Sequence, residues 1–164
     1  MFRLSLLAFM SLWFSAASLA QEDAPPLSST AAEALEQCLA QDDVETCTGA
    51  WVAPCSEDAL TTVDILACYA PELAFWEARL STVQVELDQI YVELDQFDDA
   101  TRALAPRLEI YQEQWEAWRA AKCGFEYSKF RGGSLGRITH VDCQLTETST
   151  RVAELRALLE EAGL

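Results

Sequence analysis

A chain of 164 residues with 27 acids, 11 bases and one histidine carries a formal charge of −16. That balance excludes charge-driven binding to nucleic acid or to an anionic membrane and favours cationic partners. Hydrophobic residues make up 51% of the chain, which suits a single packed core.

The first twenty residues read as a signal peptide. Arg3 supplies a positive start, Leu4 to Leu12 an apolar run, and Ser18-Leu19-Ala20 a small-x-small cleavage site. The run is too short and too interrupted by serine to span a bilayer. No cysteine stands at the cleavage site, which argues against a lipid anchor. The expectation is an exported, periplasmic or secreted protein with a flexible leader over 21–29 around Pro25-Pro26, and one domain over 30–164.

Six cysteines (Cys38, Cys47, Cys55, Cys68, Cys123 and Cys143) follow the leader. An even number in an exported chain points to disulfides. A zinc site would need closely spaced cysteines or histidine partners, and neither is present. Six cysteines allow fifteen pairings, and the sequence does not choose among them. Joining sequence neighbours closes the shortest loops, so Cys38–Cys47, Cys55–Cys68 and Cys123–Cys143 are the expected set.

The acids are unevenly placed. Glu22 to Ala100 holds eighteen acids against the single base Arg79, whereas Thr101 to Leu164 holds nine of each. The first half is either a steering surface for a basic partner or simply a solvated helical face. Ser28, Ser29 or Thr30 is placed to cap a short helix through Leu35 and Leu39. Cys47 to Cys55 has the Gly and Pro content of a loop, with Trp51 as its apolar plug. A second short helix is expected over Glu57–Tyr69, with a new element starting at Pro71.

From Trp76 the apolar residues are Trp76, Leu80, Val83, Leu87, Ile90, Leu94 and Phe97, spaced alternately by four and three as in a heptad seam. The seam resumes at Leu104, Leu108, Tyr111, Trp115 and Trp118. One continuous helix would be about 65 Å long, too long for a compact domain of this size. Asp98-Asp99 and Pro106 mark a turn near 98–105, so two antiparallel helices with facing seams are expected. A kinked long helix or a dimeric coiled coil is the alternative. Gly124 reads as the stop of the second helix. Trp115 and Trp118 read as core residues. Arg119 is open between a local carbonyl or carboxylate and a partner. Phe125, Tyr127 and Phe130 alternate with polar residues, as in a short strand or an aromatic anchor. A last helix is expected over about 139–162, carrying Leu145, Arg151, Val152, Leu155 and Leu159.

Between Lys122 and Val141 the local charge reverses, and glycines 124, 132, 133 and 136 suggest an exposed loop. Lys129, Arg131, Gly132, Gly133, Ser134 and Arg137 form the candidate partner-binding segment. The plainer reading is a disulfide-closed connector whose bases balance nearby acids. Catalysis is not expected. His140 is the lone histidine, paired thiols leave no nucleophile, and no Gly-x-Ser-x-Gly elbow is present. No cofactor or metal is implied.

Gln112, Trp115, Trp118-Arg119, Cys123, Gly132-Gly133-Ser134, Cys143, Thr148, Arg151 and Leu155 together resemble the lysozyme-inhibitor family of the LprI type, in order and spacing. Ala120 stands where that family carries Asp. Ser81 and Gln84 also depart from its usual pattern, and no role is carried over from that helix. The resemblance implies a mostly helical, disulfide-stapled periplasmic domain with lysozyme, or another cationic cell-wall hydrolase, as partner. It also supports the pairs Cys55–Cys68 and Cys123–Cys143. The expected fold is therefore all-α, a disulfide-stapled helical bundle built around an antiparallel helical hairpin. The expected function is inhibition of lysozyme-like hydrolases; the competing one is an envelope interaction module that pairs or self-associates through its heptads.

Overall fold

The computed structural model describes residues 29–97 and 99–162. The signal peptide expected over 1–20 and the leader up to residue 28 lie outside the described residues. Three short helices come first: α1 (Ser29–Leu39), α2 (Val44–Cys47) and α3 (Val52–Ser56). Three long ones follow: α4 (Thr62–Asp95), α5 (Ala105–Ser128) and α6 (Ser134–Glu161), with a 3₁₀ turn at Ala100–Arg102 between α4 and α5. No strand occurs among the described residues, so the one considered near Phe125 and Phe130 is absent.

Local chemistry sets several of these starts. Thr61 and Asp64 form a capping box at α4: Asp64 N–H donates to Thr61 Oγ1 at 3.2 Å, and Thr61 N–H donates to Asp64 Oδ2 at 3.0 Å. Asp43 caps α2 by accepting from Thr46 N–H at 2.8 Å, and the Thr46 bonds hold its carboxyl below the ordinary carboxylate range.

The break expected at Pro71 does not occur, and α4 runs through it. An internal proline costs roughly 3 kcal/mol, because it removes a backbone hydrogen bond and crowds the preceding turn. Both sides of Pro71 are held firmly: Cys68 is bridged to Cys55, and Tyr69, Phe75 and Trp76 are buried. Packing outweighs the local penalty. Likewise α5 passes the expected stop at Gly124 and ends at Ser128, since a helical glycine costs only about 1 kcal/mol and Cys123 beside it is buried and bridged. The last helix starts at Ser134, earlier than its spacing suggests.

The chain turns between α4 and α5, where Asp95 at the end of α4 accepts from Leu104 N–H at 2.7 Å and Ala105 N–H at 2.9 Å. The two halves of the seam do not chiefly pack on each other. α6 is the main neighbour of both helices, and α4 touches α5 only lightly. Trp76, Leu80, Val83 and Leu87 of α4 are buried in one core with Leu145, Val152 and Leu155 of α6, whereas α5 adds Leu108. Disulfides join Cys38 to Cys47, Cys55 to Cys68 and Cys123 to Cys143. The last closes a sequence separation of 20 and ties α5 to α6, a constraint worth roughly 3 kcal/mol.

A fully buried carboxylate fastens the amino-terminal helices. Glu72 Oε1 accepts from Gly49 N–H at 2.6 Å and Trp76 Nε1–H at 3.2 Å, and its Oε2 accepts from Trp51 N–H at 3.1 Å and Val52 N–H at 2.9 Å. It thereby occupies the amide-rich start of α3, where a negative charge is favoured.

Candidate functional site

The middle of α5 and the middle of α6 face each other across a polar cluster centred on Trp115. Arg119 Nη1 donates to Thr148 Oγ1 at 2.6 Å and lies 3.9 Å from Glu77 Oε1 on α4. Arg151, 1% exposed, donates from Nε to Gln112 Oε1 at 3.0 Å and from Nη1 to Glu154 Oε2 at 2.9 Å. The two guanidinium groups lie over the Trp115 ring, at 4.9 Å for Arg119 and 5.5 Å for Arg151. Arg151 also stacks on Tyr111 at 3.9 Å. Such contacts each add about 0.5–2 kcal/mol when partly desolvated. Thus residues 29 to 39 positions apart, Gln112, Trp115 and Arg119 on α5 and Thr148 and Arg151 on α6, become one contact network.

The family model for lysozyme inhibitor LprI matches residues 55–155. This chain belongs to the lysozyme inhibitor LprI family. No curated protein and no solved structure matches it.

Within this LprI fold the Trp115 cluster is a clamp between two helices. Trp118 departs from the core placement expected of it: it is 48% exposed, with Lys122 Nζ 4.9 Å from its ring centre and Lys122 paired to Glu147. The helical twist carries residue 118 past the side that α6 covers. Ala120, where the family carries Asp, is exposed.

The basic segment is a tight connector rather than an extended loop. Residues 129–133 join the helices, and Ser134 and Arg137 already lie in the first turn of α6. Arg131 and Gly132 turn the chain with φ of 49° and 86°. Lys129 pairs with Glu126, while Arg131 and Arg137 are exposed and their side chains meet no partner among the described residues. Gly132, Gly133 and Ser134 are exposed as well. Gly136 is buried because α6 starts against α5: a Cβ there would sit 3.0 Å from the Tyr127 carbonyl oxygen. His140 Nδ1 lies 3.0 Å from the Cys123 carbonyl oxygen, which can only accept, so Nδ1 carries the proton.

Glu72 and Tyr111 were missed as organising residues. For Glu72 the signal was available: stepping back four from Trp76 along the seam lands on a carboxylate at a core position. For Tyr111 the seam marked an apolar position, and nothing local showed that Arg151 would stack on it. Among the described residues no cluster of His, Cys, Asp and Glu is placed to hold a metal, and no helix is long and apolar enough to cross a membrane.

Proposed function

We propose that this protein is an exported inhibitor of lysozyme-like cell-wall hydrolases, and that the basic tip joining α5 to α6 enters the enzyme's catalytic cleft. One observation carries this reading: Arg131 and Arg137 stand exposed, without side-chain partners among the described residues, at the end of a helix pair locked by Cys123–Cys143. Lysozyme-type glycosidases cleave with two carboxyl groups in a cleft. A rigid tip bearing arginines and the Ser134 hydroxyl would meet those groups through charge-assisted hydrogen bonds. The acid-rich first half would draw a cationic hydrolase toward the complex. The signal peptide expected over residues 1–20 and the three disulfides support periplasmic placement.

The test is lysis of a cell-wall substrate by lysozyme with increasing amounts of the protein. Replacing Arg131 and Ser134 by alanine should raise the inhibition constant at least tenfold. An unchanged constant refutes the role of the tip.

A further inference from the structure

The side of α5 turned away from the core carries a run of exposed apolar residues. Ile110, Tyr111, Ala117, Trp118, Ala121 and Phe125 are all exposed, and at 3.6 residues per turn they share one arc of roughly 120°. Tyr111, Trp118 and Phe125 recur every seven residues, 49%, 48% and 67% exposed respectively. In a chain of charge −16, no Asp or Glu falls within that arc. The four acids of α5 stand beside it: Glu109, Glu113 and Glu116 line one edge, exposed, and Glu126, paired with Lys129, lies on the other. On the other edge Lys122 is neutralised by Glu147, and the half-exposed Glu154 is bound to Arg151.

An aromatic centre without carboxylates and a charged margin is the anatomy of a protein-docking surface. Aromatic side chains are the usual anchors in such surfaces. The sign of the margin selects the partner. A second copy laid antiparallel across the same helix would set each acidic edge against its own counterpart, and like charges so placed are repelled. Anionic lipid is disfavoured by the same charge. A basic protein is the occupant that satisfies both the apolar centre and the acidic margin.

We infer that this face of α5 is the main affinity-bearing surface for the lysozyme-like hydrolase, with the aromatic rings on the enzyme's outer wall while the tip engages its cleft. The choice of partner rests on the function proposed above; the surface itself does not. Phe125 lies only six residues before Arg131, so one partner of ordinary interface size covers both.

The test uses the full mature chain with its disulfides formed and a cationic lysozyme as probe, followed by surface-binding kinetics at two salt concentrations. Trp118→Ala with Phe125→Ala should weaken binding at least twentyfold, mainly through faster dissociation. Glu113→Gln with Glu116→Gln should slow association severalfold and flatten its salt dependence. These side chains are exposed, so circular dichroism should be unchanged. If the wild type inhibits lysozyme and the aromatic variant inhibits equally well, the surface is wrong and the tip reading survives. If the wild type neither binds nor inhibits, the function proposed above fails, and with it the inference that a hydrolase occupies this surface. A wild-type dimer by light scattering that Trp118→Ala dissolves would also overturn the inference, since a second copy would then cover the face.

Discussion

Arg151 donates from Nε to Gln112 Oε1 at 3.0 Å, yet Arg151 Nη2 and Gln112 Nε2, both buried, have no partner among the described residues. Two donors of one buried pair are thus left over. Gln112→Glu replaces the unpaired amide NH2 with a second acceptor and lets the guanidinium be held side-on through Nε and Nη2. The expected result is a gain of about 1–2 kcal/mol in urea unfolding at pH 7. The gain should be lost progressively as pH falls from about 4.3 through the lower folded pKa of the new carboxylate, because Arg151 depresses that pKa and the stabilisation is full only above the unfolded value. Gln112→Leu should cost about 1–3 kcal/mol instead, by stranding Nε as well. Loss of stability in the Glu variant would mean that desolvation of the added charge dominates.

Glu72 serves four N–H donors at once. Glu72→Ala should destabilise by roughly 3–5 kcal/mol, since it strands buried donors. Glu72→Gln, which keeps a single acceptor oxygen, should fall between. Amide exchange at Gly49 and Val52 should accelerate in both variants while all three disulfides stay formed. Exchange at wild-type rates would show that the loop is held by other contacts.

Two glycines near the tip should respond in opposite directions. Gly136→Ala forces a Cβ to within 3.0 Å of the Tyr127 carbonyl oxygen and 3.2 Å of Phe130 Cβ. A loss of about 1–3 kcal/mol is expected from this overpacking. Gly124 lies inside α5 with nothing within 4 Å of its would-be Cβ, so Gly124→Ala should stabilise by up to about 1 kcal/mol. Thermal melts of the two variants decide this, and melting shifts of the same sign would contradict the close approach of α6 to α5.

Burial, aided by the charge and hydrogen bond of Asp142 at 3.0 Å, pushes the Tyr69 hydroxyl up to about 12. A raised folded value favours the protonated ring, so its contribution is fully present below the unfolded pKa near 10.0 and is lost as pH rises toward 12. Tyr69→Phe should flatten that part of the stability profile. Urea midpoints measured between pH 9 and 12 provide the check; an identical alkaline decline in the variant would assign it to other groups.

Much of the architecture was legible in the sequence. Helical spacing marked the buried stripes Trp76, Leu80, Val83 and Leu87 of α4 and Leu145, Val152 and Leu155 of α6, because a period of three to four states which residues share a face, but it set the first stripe against residues 104–118 and not against α6. A turn near 98–105 was readable because one helix of that length does not fit a domain this small, and α4 ends three residues earlier, at Asp95. The path through Pro71 and Gly124 was not, since helix-breaking costs of a few kcal/mol are local while the packing and disulfides that override them are not.

What the sequence determined by itself is the helical class, the acidic first half and the set of signature residues. What only the tertiary structure decided is which helix covers which face. A heptad says that Leu108, Tyr111, Trp115 and Trp118 lie on one side of α5, but not that α6 rather than α4 is its main neighbour. Nor does it say that this neighbour draws Arg151 over Tyr111 and leaves Trp118 in the open. That choice depends on how three long helices jointly bury their stripes, a property no single helix carries.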